Sequence, residues 1–255
     1  MNRIYKQANK DPIIQTERVF HSLVTLILEI VCVVLLLVTG YMVYDTITVE
    51  KSAVLDSYIK ELKPEVKVED KKVVSSLDEL QKINPDVVAW ITIDDTKIDY
   101  PVLQGRPDYT YLSRDIYGNS SLSGSLYIGI VSNRYFEDDF TIIYGHHMAG
   151  GLMFGALDYY VDETYLQEHS VGTLITENKV YNLKVLAFMT MDAYSEIYSK
   201  TTMEYWDKFI KEDEYEILSG NLDTEYNKLL LLSTCGPNGN TDRYLLILRM
   251  EEKRC

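Results

Sequence analysis

Leu229-Leu230-Leu231-Leu232-Ser233-Thr234-Cys235 is followed by Gly236-Pro237-Asn238-Gly239-Asn240, and shortly after by Arg243-Tyr244-Leu245-Leu246-Ile247-Leu248. Two apolar runs of strand length, separated by a Gly/Pro/Asn cluster, read as two strands joined by a turn. The first ends in a cysteine and the second opens on an arginine. Upstream, Phe140-Thr141-Ile142-Ile143-Tyr144 is a third such run, and Gly145-His146-His147 follows it. A nucleophile at a strand end is held by the ladder yet can face a groove lined by loops. One Cys, one His and one Arg on strand-like segments suggest cysteine acyl-transfer chemistry.

Working outward, strand-like runs recur at 87–93, 100–103, 125–130, 140–144, 172–176, 179–188, 228–233 and 244–250. Turn residues such as Asp94-Asp95, Gly118-Asn119 and Glu177-Asn178 punctuate them. Eight short strands predict a mainly β protein, a closed barrel rather than a doubly wound sheet. Ser76-Leu77-Asp78-Glu79 reads as a capping box opening a short helix through Ile83, which Asn84-Pro85 ends. Trp206, Phe209, Ile210, Ile217 and Leu218 recur near helical spacing and predict a helix over 204–218, before the seventh strand.

The 22 residues 23–44 are mostly Leu, Val and Ile, enough to cross a hydrocarbon core of about 30 Å. Glu29 interrupts them in the first third, where an interfacial position is the simplest account. Arg3, Lys6, Lys10 and Arg18 precede the span against Asp11 and Glu17, which favours an N-terminus inside and the bulk outside. No small-residue cleavage pattern follows Tyr41-Met42-Val43-Tyr44, so a retained anchor is expected rather than a cleaved signal. The chain carries a formal charge of −14, which argues against a nucleic-acid partner. Beyond the span, residues 45–76 read as a helical stalk and linker. Val54, Tyr58 and Leu62, with Leu55 and Ile59, form one apolar face that Pro64 ends, and a charge-mixed, solvated connector runs over 65–72.

Of three cysteines, Cys32 lies in the span and Cys255 at the terminus, so no disulfide framework is implied. Cys235 is therefore the candidate nucleophile, against the common fate of a lone Cys as a small buried hydrophobe. A thiol of ordinary pKa, about 8.5, is mostly protonated at neutral pH and needs a base or cation beside it. An imidazole suits this and can also protonate a departing amine. His146 and His147 compete for that role. Adjacent side chains on an extended segment point to opposite faces, so both are not expected to meet one thiol. His169 reads as a solvated surface residue and His21 as a membrane-interface residue. Arg243 offers planar donors to a carbonyl or oxyanion, against the alternative of a strand-edge surface Arg. Arg249 is a weaker candidate, and Arg106, Arg114 and Arg134 fit no motif position. No metal cluster or cofactor motif is apparent.

The Ser-Thr-Cys strand end with Arg eight residues on resembles the sortase signature. Tyr144-Gly145-His146-His147-Met148, followed by Met153-Phe154-Gly155, makes the resemblance closest to class B sortases. Asp99-Tyr100-Pro101-Val102-Leu103-Gln104-Gly105, Tyr111-Leu112, Gly124-Ser125 and Asn133 are similar too, so the resemblance covers roughly 77–250. It implies an eight-stranded sortase-type barrel with N-terminal helices and a helix before the seventh strand. It implies cleavage of a C-terminal sorting signal after Thr, a thioester on the enzyme and transfer to an amine. By the same resemblance Cys235 is the nucleophile, His146 the general acid and Arg243 the oxyanion donor, with Leu112, Tyr144, Ser233 and Thr234 as substrate-binding positions. Pro107-Asp108-Tyr109-Thr110 and the strand 126–131, which lacks an acidic residue, depart from the family and bear on substrate preference.

The expected organisation is a cytoplasmic tail (1–22), a transmembrane helix (23–44), a stalk (45–76) and an extracellular catalytic domain (77–255). Expected partners are surface proteins with a sorting signal, and a cell-wall precursor amine or pilin lysine as acceptor. The rival readings are another exported cysteine peptidase or L,D-transpeptidase, and a non-catalytic ectodomain. Papain-like enzymes place Cys before His, and the Ser-x-Gly-Cys context of L,D-transpeptidases is absent here.

Overall fold

Eight strands close into a ring: β1 (Val87–Ile93), β2 (Asp99–Leu103), β3 (Leu126–Ile128), β4 (Phe140–Tyr144), β5 (Val171–Thr176), β6 (Val180–Asp192), β7 (Leu229–Gly236) and β8 (Gly239–Glu252). Their hydrogen-bonded order is β8-β7-β4-β3-β2-β1-β5-β6, and β6 pairs with β8 to complete the circle. Neighbours are antiparallel except β2 with β3 and β4 with β7. This computed structural model describes residues 12–69, 72–74, 76–212, 215–236 and 239–253. Arg3, Lys6, Lys10 and Asp11 of the tail, Pro237 and Asn238 of the turn, and Cys255 lie outside the described residues.

The unbroken Leu229–Leu232 run has a direct cause: both faces of β7 are covered. Leu230 and Leu232 point into the barrel interior with Leu246, Leu248, Ile143 and Val102. Leu229 and Leu231 point outward with Leu245, Ile247, Phe140 and Ile142, beneath Trp206 and Phe209. A strand buried on both sides reads as continuous apolar sequence rather than as an alternation. A third cluster lies on the outer face of β1, where Trp90 meets Ile59, Leu77 and Leu80.

The chain divides into two units, residues 1–48 and 49–255. Helix α1 (Pro12–Ala53) is 42 residues, about 63 Å at 1.5 Å per residue. It is long and apolar enough to cross a membrane. Within it Thr25, Thr39 and Thr46 donate their hydroxyls to the carbonyls four residues back, so these polar groups are satisfied inside the helix.

In the second unit α2 (Ser57–Glu61), capped by Asp56, and α3 (Asp78–Ile83) lie against β1. The part of the expected stalk over 53–62 therefore packs on the barrel rather than standing free of it. Its buried face is Ile59 with Leu55 and Leu62, whereas Val54 and Tyr58 are exposed, because the helix breaks at 54–56. Lys63 Nζ reaches Asp99 Oδ1 at 2.7 Å, and the same oxygen accepts from Trp90 Nε1 and Thr92 Oγ1, each at 2.8 Å.

Other expectations are corrected. The connector contains a two-stranded antiparallel ladder pairing 67–69 with 72–74. Ser76 Oγ accepts from Asp78 N, while Glu79 pairs with Lys82 instead of closing a capping box. The helix expected over 204–218 is shorter: α5 (Met203–Glu212) ends, and Ile217 and Leu218 belong to a side strand, Tyr215–Gly220. That strand pairs with Ala187–Met191, the part of the 13-residue β6 that β5 leaves uncovered on that edge. The open edge outcompetes helix continuation. Helix α4 (Glu163–Glu168) follows a 3-10 turn, Gly155–Val161, in the β4–β5 connection.

Candidate active site

Strand β7 lies between β4 and β8, and the site follows from that placement. Register sets Ser233 beside Tyr144 and Cys235 beside Arg243. Gly145 N donates to Ser233 O at 3.1 Å, and Thr234 Oγ1 donates to Gly145 O at 2.8 Å. These two bonds carry the β4–β7 alignment past its last ladder pair, so His146 leaves β4 beside the end of β7. Cys235 is half-buried there, and a register shift between Cys235 and Gly236 marks where the ladder turns away.

His146 is held from both its backbone and its ring. Its Nε2 lies 2.8 Å from the Leu112 carbonyl oxygen. A carbonyl only accepts, so Nε2 carries a proton and Nδ1 is the ring nitrogen left for other partners. Its own carbonyl accepts from Phe154 N at 3.0 Å, and His147 and Met153 form a bridge next to it. The loop folds tightly here: a Cβ on Gly155 would lie 1.8 Å from the Met148 carbonyl oxygen, and one on Gly145 would meet Leu126 and Phe154. Arg243 Nη1 donates to the carbonyls of Asp242, at 2.9 Å, and Gly239, at 3.2 Å, so the guanidinium rests on the turn that follows Cys235.

A row of tyrosines runs through the same region. Tyr127 stacks on Tyr144 with centroids 5.3 Å apart, Tyr109 meets Tyr127 at 6.4 Å and Tyr198 meets Tyr144 at 6.1 Å. The Tyr198 hydroxyl lies 3.2 Å from Ser233 Oγ. Burial pushes the Tyr198 phenol up to about 12, and burial likewise raises Tyr127 and Tyr144. Arg243 pulls the other way on Tyr198 and Tyr127, and Cys235 adds to the rise. These phenols therefore stay protonated at neutral pH.

Leu112, on the 3-10 turn Thr110–Leu112, is exposed, and Tyr144 is partly so. Ser233 and Thr234 are buried, with hydroxyls engaged by Tyr198 and Gly145. His147 pairs with Asp158, its Nε2 2.8 Å from each carboxylate oxygen. His169 is not simply solvated: it stacks on Tyr165 at 3.9 Å and its Nδ1 meets the Tyr165 carbonyl oxygen. Arg249 pairs with Leu229 at the opposite end of β7, Arg114 bonds the Gly118 carbonyl and Arg134 the Pro85 carbonyl. Sequence reasoning missed Tyr127 and Tyr198. Tyr127 sits in an expected strand, where its position in the alternation was a usable signal. Tyr198 lies in the 3-10 turn Glu196–Ser199, and nothing separates it from the chain's other tyrosines, 21 in all.

No family model matches the chain. It is 29% identical over 184 residues to sortase B of Listeria monocytogenes, covering 70% of this chain and 74% of that protein. It is 25% identical over 215 residues to sortase B of Staphylococcus aureus, covering 82% and 88%. Among solved structures, Clostridium perfringens sortase B superposes with a TM-score of 0.61 and 28% identity, over 69% of this chain and all of that one. A Streptococcus pyogenes class B sortase involved in pilus biogenesis gives 0.59 and 28%, over 68% and 97%.

Proposed function

The chain is a homologue of the class B sortases and, as such, a cysteine transpeptidase; we propose that Cys235, His146 and Arg243 carry the reaction on a C-terminal sorting signal. Cys235 gives its thiol proton to Nδ1 of His146, and the thiolate Sγ adds to the carbonyl carbon of the signal's Thr. The peptide bond breaks, His146 gives its proton to the departing amine, and a thioester remains on Cys235. The amine of an acceptor then attacks the thioester. A new amide forms as the amine's surplus proton passes to His146, and the departing Cys235 thiolate takes that proton back as the thiol. Arg243 donates to the oxyanion formed in each step. Leu112, Tyr144, Ser233 and Thr234 shape the groove, the last two from beneath. The observation that supports this most is the seating of β7 between β4 and β8, with Cys235 beside Arg243 in register and Cys235 and His146 each two residues past the last β4–β7 pair, Ser233 with Tyr144.

The acceptor is a cell-wall precursor amine or a pilin lysine, the latter suggested by the pilus role of the Streptococcus pyogenes relative. In this proposal residues 1–22 form a cytoplasmic tail, 23–44 the span, 45–76 the stalk and 77–255 the extracellular catalytic domain. The decisive experiment incubates the full chain in detergent with a library of sorting peptides and candidate amines. An acyl adduct on Cys235 is expected by mass spectrometry, with cleavage abolished in Cys235→Ala and retained in Cys32→Ala and Cys255→Ala. An active Cys235→Ala chain refutes the assignment. Protease added to protoplasts should digest the chain beyond Tyr44, and protection there refutes the topology.

A further inference from the structure

The imidazole of His147 lies with Nε2 2.8 Å from both oxygens of Asp158. His147 lies where the β4–β5 connection leaves β4, and Asp158 lies in the 3-10 turn Gly155–Val161 that follows Met153-Phe154 in the same connection. Between them the loop is fastened at several points. Phe154 N donates to the His146 carbonyl, Met153 N donates to the Tyr100 hydroxyl oxygen at 3.2 Å, and Lys97 Nζ donates to the Gly150 carbonyl at 2.6 Å. All of these bonds fix backbone. The His147–Asp158 pair is the one described side chain-to-side chain tie across the loop, and it acts on the residue bonded to His146. From β8, the Tyr244 phenol faces Asp158 and is raised by burial first and by that carboxylate second.

We infer that the His147–Asp158 pair is a positioning device, which sets the direction of the His146 backbone so that its ring stays on the Leu112 carbonyl with Nδ1 free for the thiol. His147 touches neither the thiol nor the peptide. Its pairing with Asp158 pulls its own ring away from the His146 ring, as the opposite-face rule for adjacent extended residues requires. Loss of the pair leaves the backbone at 146–147 held, among the described residues, only by the Phe154 N bond and the Met153 bridge, and the Nε2–Leu112 contact is then less firmly enforced. The inference rests on the proposed partnership of His146 with Cys235.

The test follows iodoacetamide alkylation of Cys235 in the full chain, read by peptide mass spectrometry across pH 5 to 9, which needs no knowledge of the sorting signal. His147→Ala and Asp158→Ala are each expected to slow alkylation at neutral pH about tenfold, toward the His146→Ala profile. His147→Gln, whose amide can still donate to Asp158, is expected to stay within about twofold of wild type. Melting temperatures are recorded in parallel, and Asp158→Asn supplies the comparison where an Ala variant unfolds. Wild-type alkylation in His147→Ala overturns the inference, as does a His147→Gln profile as slow as that of His147→Ala. If His146→Ala itself alkylates like wild type, the partnership beneath it fails instead.

Discussion

His146 and His147 are neighbours with different surroundings, and their substitutions should separate them. His146→Ala is expected to lose about 10²–10⁴-fold in peptide cleavage, the usual worth of a general acid–base. His147→Ala should lose less, about tenfold, because its ring is turned to Asp158 and acts only by positioning His146. Steady-state cleavage of a sorting peptide ranks the two, and the reverse order would reassign the acid. Arg243 poses a question of geometry rather than of charge. Its Nη1 rests on two carbonyls of the turn, which orients the planar fork. Lys keeps the charge but not the fork. Arg243→Lys is therefore expected to suffer much of the Arg243→Ala loss, up to about 2.7–4 kcal/mol for one oxyanion donor. Burst kinetics should place that loss in acylation, and near wild-type acylation in Arg243→Lys removes this role.

The elements that carry these residues depend on close backbone approaches. A Cβ on Gly155 would overlap the Met148 carbonyl oxygen, which belongs to backbone and cannot swing aside. Gly155→Ala is expected to destabilise at or beyond the upper end of the about 1–3 kcal/mol typical of overpacking, and to cut activity with it. Thermal melts and cleavage assays read both effects. Gly150 has φ of 66° but nothing within 4 Å of its missing Cβ, so Gly150→Ala should cost only backbone strain, about 1–2 kcal/mol. Legibility in the sequence divided along similar lines. The strand 140–144 was readable to the residue, and the start of the Cys235 strand to within one residue, because apolar runs and turn residues are local signals, although that strand runs on through Cys235 to Gly236 rather than stopping at 233. The end of α5 was not, since Ile217 and Leu218 fit helical spacing and their strand state is decided by an open edge of β6 distant in sequence. Tyr198 entered the site through a turn with no periodicity to read. The Leu112 carbonyl that fixes His146 is backbone, on which no side-chain motif reports.

At the scale of the molecule, one carboxylate ties the N-terminal segment to the barrel. Burial alone would raise the Asp99 carboxyl, but hydrogen bonds from Lys63, Trp90 and Thr92 outweigh it and hold the group below the ordinary carboxylate range. A group so depressed contributes stability above its unfolded pKa, about 3.9, and that contribution fades as pH falls through the lower folded value. Asp99→Asn is thus expected to lower the melting temperature at pH 7 and to flatten the acid limb of the stability curve. Melting temperatures from pH 2 to 7 check this, and an unchanged acid limb would mean that another group controls it. The ring order described above also bears on the sequence of events during synthesis. A ribosome delivers β1 to β6 first, leaving β4 and β6 with unsatisfied edges that only the last barrel hairpin, β7 with β8, can fill. Cys235 and Arg243 both arrive on that hairpin. On the proposed assignment a nascent chain lacks both its nucleophile and its oxyanion donor until its final two strands emerge, and the event that closes the circle would also arm the thiol.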